Sequence, residues 1–172
     1  MRITPVTPGT RPELADAERQ IMAERGRISA LYQVLLNSPP IAHGWEQMLS
    51  AVRNRNSLDA GLRELVILRV AVLNNAPYEF DAHVPHAQKA GKSDAAIEAT
   101  RTVPAAADAP WTELERIAIA LTDAMTRDIT VSDGLFEQVR AHFNAQEQVD
   151  LVATIAAYNM VSRFLTAFHI GH

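Results

Sequence analysis

Acids and histidines that can exchange protons are concentrated in one short segment, PYEFDAHVPHAQK, at residues 77–89. On an α-helix Glu79 and His83 are four residues apart, and His86 follows three residues later, so these side chains share a face. A carboxylate beside an imidazole can hydrogen-bond the ring, fix its tautomer and raise its pKa. The spacing therefore predicts a general acid or base at His83, supported by Glu79.

The same spacing has two other interpretations. An exposed helix can carry an acid and two histidines on its solvated face, with Phe80 and Val84 on the buried side. The three side chains could instead bind a metal together with Glu64 from the preceding helix. E-x-x-x-H-x-x-H is not an established zinc motif, so we expect no metal and keep a metal-dependent enzyme as an alternative.

Glu64 strengthens the functional interpretation, because it lies inside the apolar run LRELVILRV at residues 62–70. Desolvating an unpaired charge costs several kcal/mol, so a buried carboxylate is expected to have a partner. If the helices over 58–75 and 77–90 pack as a hairpin, Glu64 can approach His83 or Glu79. Arg69 lies on another face of the same helix, where we expect it to form a structural ion pair.

Composition narrows the classes of function. The 172 residues predict one domain over 1–172 with a proline-rich N-terminal arm at 1–11, and 48% hydrophobic and 21% charged residues are usual for a soluble protein. A net charge of -4 argues against nucleic-acid binding. No stretch approaches the length of a membrane span and the N-terminus lacks an apolar signal region, so we expect a cytoplasmic protein. There is no cysteine, which excludes disulfides, thiolate metal sites and cysteine nucleophiles.

Helical periodicity recurs along the chain and strand signals are nearly absent, which predicts an all-α fold. Ser57 is the predicted cap of a helix that reaches Asn75, while Pro77 and Gly91 bracket the helix of His83. The run LRELVILRVAVL and the last helix, at about 147–169, are apolar on nearly every side. Two such helices find too little partner surface within one chain, so we expect a homo-oligomer, with a tight monomeric bundle as the alternative.

The segment LRELVILRVAVLNNAPYEFDAHVPHAQKAGKSDAAI resembles the carboxymuconolactone decarboxylase and alkylhydroperoxidase D (AhpD) superfamily, most strongly over residues 58–98. The later segments IAIALTDAMTRD and VDLVATIAAYNMVSRFL resemble its longer members, so the likeness covers most of the chain. The resemblance implies an all-α, AhpD-like helical bundle that assembles as a trimer or a hexamer.

The peroxidase branch of this superfamily reads E-x11-C-x2-C-x3-H. In this chain the glutamate and the histidine match Glu64 and His83, whereas the two cysteines fall on Ala76 and Glu79. Thiol peroxidase chemistry needs one sulfur to attack peroxide and a second to resolve the sulfenic acid. A chain without cysteine cannot be a thiol peroxidase.

The decarboxylase branch also lacks the cysteine pair and carries a segment similar to P-x-E-F-x-x-H-V, found here at residues 77–84. The resemblance implies a cofactor-independent lyase or isomerase that acts on a small carboxylated lactone or a related product of aromatic ring cleavage. His83, Glu79 and Glu64 are its expected catalytic residues. Glu64 looks more like the peroxidase-type members, so the resemblance does not specify the substrate.

Three further residues are candidates for substrate binding: Tyr78, His86 and Arg163. Arg163 belongs to a polar stripe on the otherwise apolar last helix, where a guanidinium can bind a carboxylate with two hydrogen bonds or cap a buried acid. A non-catalytic, ligand-binding member of the superfamily that keeps the oligomeric scaffold is the alternative from another class.

Overall fold

The computed structural model describes residues 1–171, and His172, the last residue of the predicted domain, lies outside the described residues. Every regular element within residues 1–171 is helical, which confirms the predicted all-α fold. A 3-10 turn at Pro12–Leu14 precedes α1, and a π-helical turn at Ala124–Asp128 extends α7. The α-helices are α1 Ala15–Arg25, α2 Ala30–Leu35, α3 Pro39–Asn54, α4 Ala60–Leu73, α5 Pro77–Lys89, α6 Asp94–Ala99, α7 Glu113–Asp123, α8 Asp133–His142 and α9 Ala145–Phe168.

The chain forms two compact units, one of Met1–Arg55 with the segment that begins at Phe164, and one of Asn56–Arg163. A single domain over 1–172 stays a prediction. In the first unit, Glu46 of α3 is buried and accepts hydrogen bonds from Arg25 of α1 at 3.1 Å and from the hydroxyl of Tyr32 in α2. This polar cluster ties the first two helices to the third.

In the second unit, α4 is buried on nearly every side, as its sequence predicts, with ten of its fourteen residues buried. The helix begins after Asp59, whose side chain accepts a hydrogen bond from the Leu62 N–H at 2.9 Å. The predicted cap at Ser57 is therefore wrong. Ser57 instead donates its N–H and its hydroxyl to Asp150, both at 2.7 Å. Asp59 is the cap because it lies three residues before Leu62, a spacing at which its side-chain oxygen reaches an N–H of the first turn.

A tight turn joins α4 to α5, so the predicted hairpin forms and the two helices pack against each other. Asn75 adopts a positive φ of 52°, and the Ala76 N–H bonds the Ala71 carbonyl at 2.9 Å. Pro77 occupies the first turn of α5, as predicted. Pro85 lies inside this helix, which nevertheless continues to Lys89. Together these features fix the face of α5 that is turned toward α4.

The last helix departs from one expectation. By length and composition alone, α9 could cross a membrane, whereas the sequence was expected to contain no stretch of that kind. The core helix of a soluble protein passes the same test, so this is weak evidence for a membrane. Leu151, Ile155 and Tyr158 of α9 are buried inside the protein.

Candidate functional site

His83 and Glu64 form the central contact of the site. The Nδ1 atom of His83 lies 2.6 Å from Oε2 of Glu64, which joins α5 to α4 across the hairpin. Both residues are buried, with 7% and 4% of their surface exposed. The sequence left open whether Glu64 approaches His83 or Glu79, and the structure resolves this in favour of His83.

The contact with Glu64 defines the chemistry of the imidazole. A carboxylate oxygen at Nδ1 favours a proton on that nitrogen and fixes the orientation of the ring. The ring of Tyr158, on α9, packs edge-on against His83 with the ring centroids 5.1 Å apart. Tyr158 and Glu64 therefore restrain the imidazole from two sides, as a proton-transfer group requires.

Glu79 does not make the contact that its helical spacing suggested. It is 2% exposed, and one of its carboxyl oxygens, Oε2, is hydrogen-bonded to the hydroxyl of Ser162 on α9. Its other oxygen, Oε1, is buried and has no hydrogen-bond partner among the described residues. The acid that orients His83 is thus Glu64, because the side chain of Glu79 engages α9 instead.

Burial governs the ionisation of Glu79. Removal from water raises the pKa of this carboxyl from 4.5 to about 8, and the hydrogen bond with Ser162 opposes that rise only in part. Glu79 is therefore mostly a neutral carboxylic acid at pH 7. A neutral acid can donate a hydrogen bond, which a carboxylate cannot do.

The three predicted substrate-binding residues lie in different surroundings. His86 is exposed, and its ring centroid is 5.6 Å from that of His83, so it extends the site toward solvent. Tyr78 is half-buried in the first turn of α5. Arg163 is exposed and donates to Asn159 on its own helix, to the carbonyl oxygen at 3.0 Å and to the side-chain oxygen at 2.6 Å. It does not cap a buried acid, and binding of a substrate carboxylate stays a prediction.

Ser162, the hydrogen-bond partner of Glu79, is not among the site residues predicted from the sequence. It lies four residues after Tyr158, so the two residues share a face of α9. A signal for it was present, because a serine within the apolar run IAAYNMVSRFL is as conspicuous as the neighbouring Asn159 and Arg163. Its partner Glu79 is 83 residues away in the sequence, however, and no local pattern connects them.

The arrangement of acids and histidines does not favour a metal. Within residues 1–171, no group of three or more His, Cys, Asp or Glu side chains could hold a metal ion. Of the side chains proposed as ligands, Glu64 and His83 lie together, whereas Glu79 pairs with Ser162. Among residues 1–171 the four side chains of the metal-dependent alternative therefore do not form one ligand group, and that alternative stays untested.

The second unit also contains an open cavity of about 420 Å³ beside α7 and the π-helical turn. Its walls include Trp111, Ile119 and Asp123, and it contains none of the predicted site residues. Asp123 is occupied there by an ion pair with Arg69 at 2.6 Å, the structural pair that the sequence predicted. His83 is the one buried histidine among residues 1–171 and it contacts the buried Glu64, so we take this contact as the candidate site.

Comparison with known proteins gives the following matches. Residues 39–124 match the model of the carboxymuconolactone decarboxylase family. The uncharacterized protein YnjA of Escherichia coli (strain K12) is 32% identical over 122 residues, which cover 69% of this chain and 64% of YnjA. The chain thus spans slightly less than two thirds of that relative.

Two solved structures are similar over most of the chain. A protein of unknown function from Agrobacterium tumefaciens, ATU0492, described as a putative antioxidant defence protein AhpD, superposes with a TM-score of 0.73 at 26% identity, covering 81% of this chain and 94% of its own. The AhpD core of a peroxidase-related protein from Ralstonia eutropha JMP134 superposes with a TM-score of 0.83 over 98% of this chain and 90% of its own. Its identity is 16%, so this second likeness shows the fold alone.

Proposed function

Because the chain belongs to the carboxymuconolactone decarboxylase family, we propose that it is a cofactor-independent lyase or isomerase that works by proton transfer. Its substrate in this proposal is a small carboxylated lactone or a related product of aromatic ring cleavage. We further propose a cytoplasmic homo-oligomer, a trimer or a hexamer, that binds no nucleic acid. The observation that carries the proposal is the 2.6 Å contact between the buried side chains of His83 and Glu64.

The reaction requires little of the protein beyond a proton and a site for negative charge. When the bond to the carboxylate of an unsaturated lactone breaks, carbon dioxide leaves and its electron pair moves through the ring alkene onto the lactone carbonyl. The resulting dienolate must then be protonated on carbon. One positioned acid and one donor near the developing oxyanion are sufficient for this sequence.

His83 is the proton donor in this proposal. Glu64 holds Nδ1 and stabilises the imidazolium, so that Nε2 delivers the proton to the dienolate carbon. Burial of both residues supports the assignment, since the attraction between them is stronger away from water. His86 lies at the exposed end of the pair, where it can exchange protons with solvent.

The test is a screen of carboxylated lactones and related ring-cleavage products for release of carbon dioxide. His83→Ala should lower kcat/KM by about 100-fold or more on any substrate found, since general acid catalysis contributes at least that factor. Asp81→Asn is the matched control, because Asp81 is an exposed acid on the same helix and its loss should leave the rate unchanged.

Two results would contradict the proposal. An unchanged rate in a folded His83→Ala protein, with helical circular dichroism equal to that of the wild type, would remove His83 from the mechanism. If no lactone is turned over and His83→Ala preserves the cellular role, the chain is a ligand-binding scaffold.

A further inference from the structure

The hydroxyl of Ser162 stands between two oxygen atoms. It is hydrogen-bonded to Oε2 of Glu79 and also lies 2.9 Å from the carbonyl oxygen of Tyr158, one turn earlier on α9. A hydroxyl group has one proton to donate, and a carbonyl oxygen can only accept. If Glu79 were a carboxylate, one of these two contacts would bring acceptors together without a proton between them.

A neutral Glu79 removes this conflict. Its carboxyl O–H then donates to Ser162, and the Ser162 hydroxyl donates to the Tyr158 carbonyl, so that each contact contains one proton. The donors and acceptors around Ser162 thus favour the same neutral form of Glu79 that burial favours. In this form Oε1 is left as a buried polar atom without a partner.

An unsatisfied buried oxygen costs about 1–3 kcal/mol, and a ligand that forms a hydrogen bond at this position would remove that cost. Exposure increases along the face of α5 that begins at Glu79. Glu79 is 2% exposed and His83 is 7% exposed, while His86 is at the surface. A ligand that approached from His86 would thus meet His83 before Glu79.

We propose that Glu79 is a neutral acid that binds an anionic oxygen of the ligand through Oε1, and that Ser162 is the residue that positions it. In the empty protein the proton lies between Glu79 and Ser162. When a ligand brings a carboxylate or enolate oxygen to the position of Oε1, the carboxyl group rotates by half a turn so that its O–H faces the ligand. The Ser162 hydroxyl then turns from the Tyr158 carbonyl and donates to the unprotonated carboxyl oxygen that now lies beside it. No net charge changes during this exchange.

This role deepens the proposed function, on which it rests for the identity of the reaction. A carboxylate at position 79 would repel an anionic substrate, whereas a neutral acid attracts it. Carboxylic acids kept neutral by apolar surroundings are known to donate to oxyanions in enzymes. The substrate class that follows is a small anion whose charged oxygen binds at Glu79 while a carbon atom faces His83.

The resting state can be tested without a substrate. Infrared spectra at pH 6 should contain the carbonyl band of a protonated carboxyl group in the wild type, and Glu79→Gln should remove it. Asp81→Asn is the matched control and should retain the band, because Asp81 is exposed. A wild-type spectrum that equals the Glu79→Gln spectrum in this region would overturn the proposal.

The binding role requires a second measurement. Formate, acetate and benzoate serve as anionic probes of increasing size, with the corresponding amides as neutral controls, and calorimetry gives Kd. If only the neutral acid binds these anions, Kd should weaken about tenfold between pH 7 and pH 9, given the pKa of about 8. Glu79→Gln keeps a neutral N–H donor and should bind without this loss.

Two binding results would overturn the proposal: no binding by any of the three anions, or the same pH dependence in the wild type and Glu79→Gln. Ser162→Ala should weaken binding, and Ser162→Thr, which restores the hydroxyl, should recover it. His83→Ala should keep the infrared band. A failure of His83 in the lyase assay would therefore leave the evidence for Glu79 intact, so the two proposals can fail separately.

Discussion

Replacement of Glu79 by glutamine should stabilise the protein at neutral pH, although it removes a residue of the proposed site. In the folded protein burial raises the pKa of this carboxyl from 4.5 to about 8, while in the unfolded chain the carboxyl is solvated and titrates near 4.5. Between these two values the folded state holds a proton that the unfolded state has released. Unfolding therefore becomes easier as the pH rises through this window.

The pH range between the two pKa values of Glu79, 4.5 and about 8, sets the size of the effect on stability. The contribution of the neutral acid is fully present below pH 4.5 and is lost at about 1.4 kcal/mol for each pH unit up to about pH 8. By pH 7 the wild type should have lost about 3 kcal/mol of its free energy of unfolding through this one group. Glutamine has the same shape and does not ionise, so Glu79→Gln should not suffer this loss.

The assay is urea unfolding of both proteins at pH 5, 6, 7, 8 and 9, at one fixed protein concentration because assembly also affects stability. The quantity of interest is the difference in the free energy of unfolding between Glu79→Gln and the wild type. Other groups titrate in both proteins, so their effects largely cancel. Asp81→Asn serves as the control and should give a difference that does not change with pH, since Asp81 is exposed.

A difference between Glu79→Gln and the wild type that stays constant from pH 5 to pH 8 would refute the reasoning, since it would mean that Glu79 ionises in the folded protein as it does in water. A difference in the free energy of unfolding that rises with pH on top of a constant offset agrees with a neutral Glu79. Such an offset reports only how well the glutamine amide fits against Ser162. Only the change of this difference with pH reports that Glu79 holds a proton in the folded protein.

Two further predictions concern stability and assembly. Arg69→Met should lower the free energy of unfolding, measured in urea, by about 3 kcal/mol. The substitution leaves Asp123 without its buried partner, and it leaves two carbonyl oxygens without the hydrogen bonds that Arg69 donates to them at 2.7 and 2.8 Å. A loss below about 1 kcal/mol would contradict the structural role of the ion pair. Light scattering at micromolar concentration should give three or six times the chain mass of 18.9 kDa, and a mass near 18.9 kDa would contradict the predicted oligomer.

The contact between Glu64 and His83 could be predicted because it depends on local geometry. Two helices that are joined by a turn of three residues and pack against each other bring residues of α4 close to residues beyond the turn in α5. The buried position of Glu64 also required a partner, and His83 was one of two within reach. Sequence spacing and the cost of burying a charge therefore narrowed the partner of Glu64 to two residues, and the structure distinguishes between them.

The partner of Glu79 could not be predicted, because it does not depend on local geometry. Spacing within α5 brings Glu79 near His83, but a side chain has several rotamers, and the choice among them depends on what lies opposite. The position opposite is occupied by Ser162 of α9, which no turn connects to α5. The predicted N-cap of α4 was wrong for a simpler reason. Serine and aspartate both favour the N-cap position, and the sequence does not show that Ser57 bonds Asp150 while Asp59 bonds the first turn.

The proposed neutral state of Glu79 also bears on how the proposed reaction proceeds without cysteine. By its resemblance to the peroxidase branch, position 79 is where a second cysteine would stand, four residues before the histidine that Glu64 orients. The pair of Glu64 and His83 carries one negative charge or none, depending on the proton at the imidazole. An ionised acid at 79 would add a further negative charge and repel an anionic substrate, whereas a neutral acid leaves the charge of the pair unchanged. In the proposed mechanism, a buried Glu79 beside Ser162 thus supplies a hydrogen-bond donor where the peroxidase branch has a cysteine, and Glu64 and His83 transfer the proton.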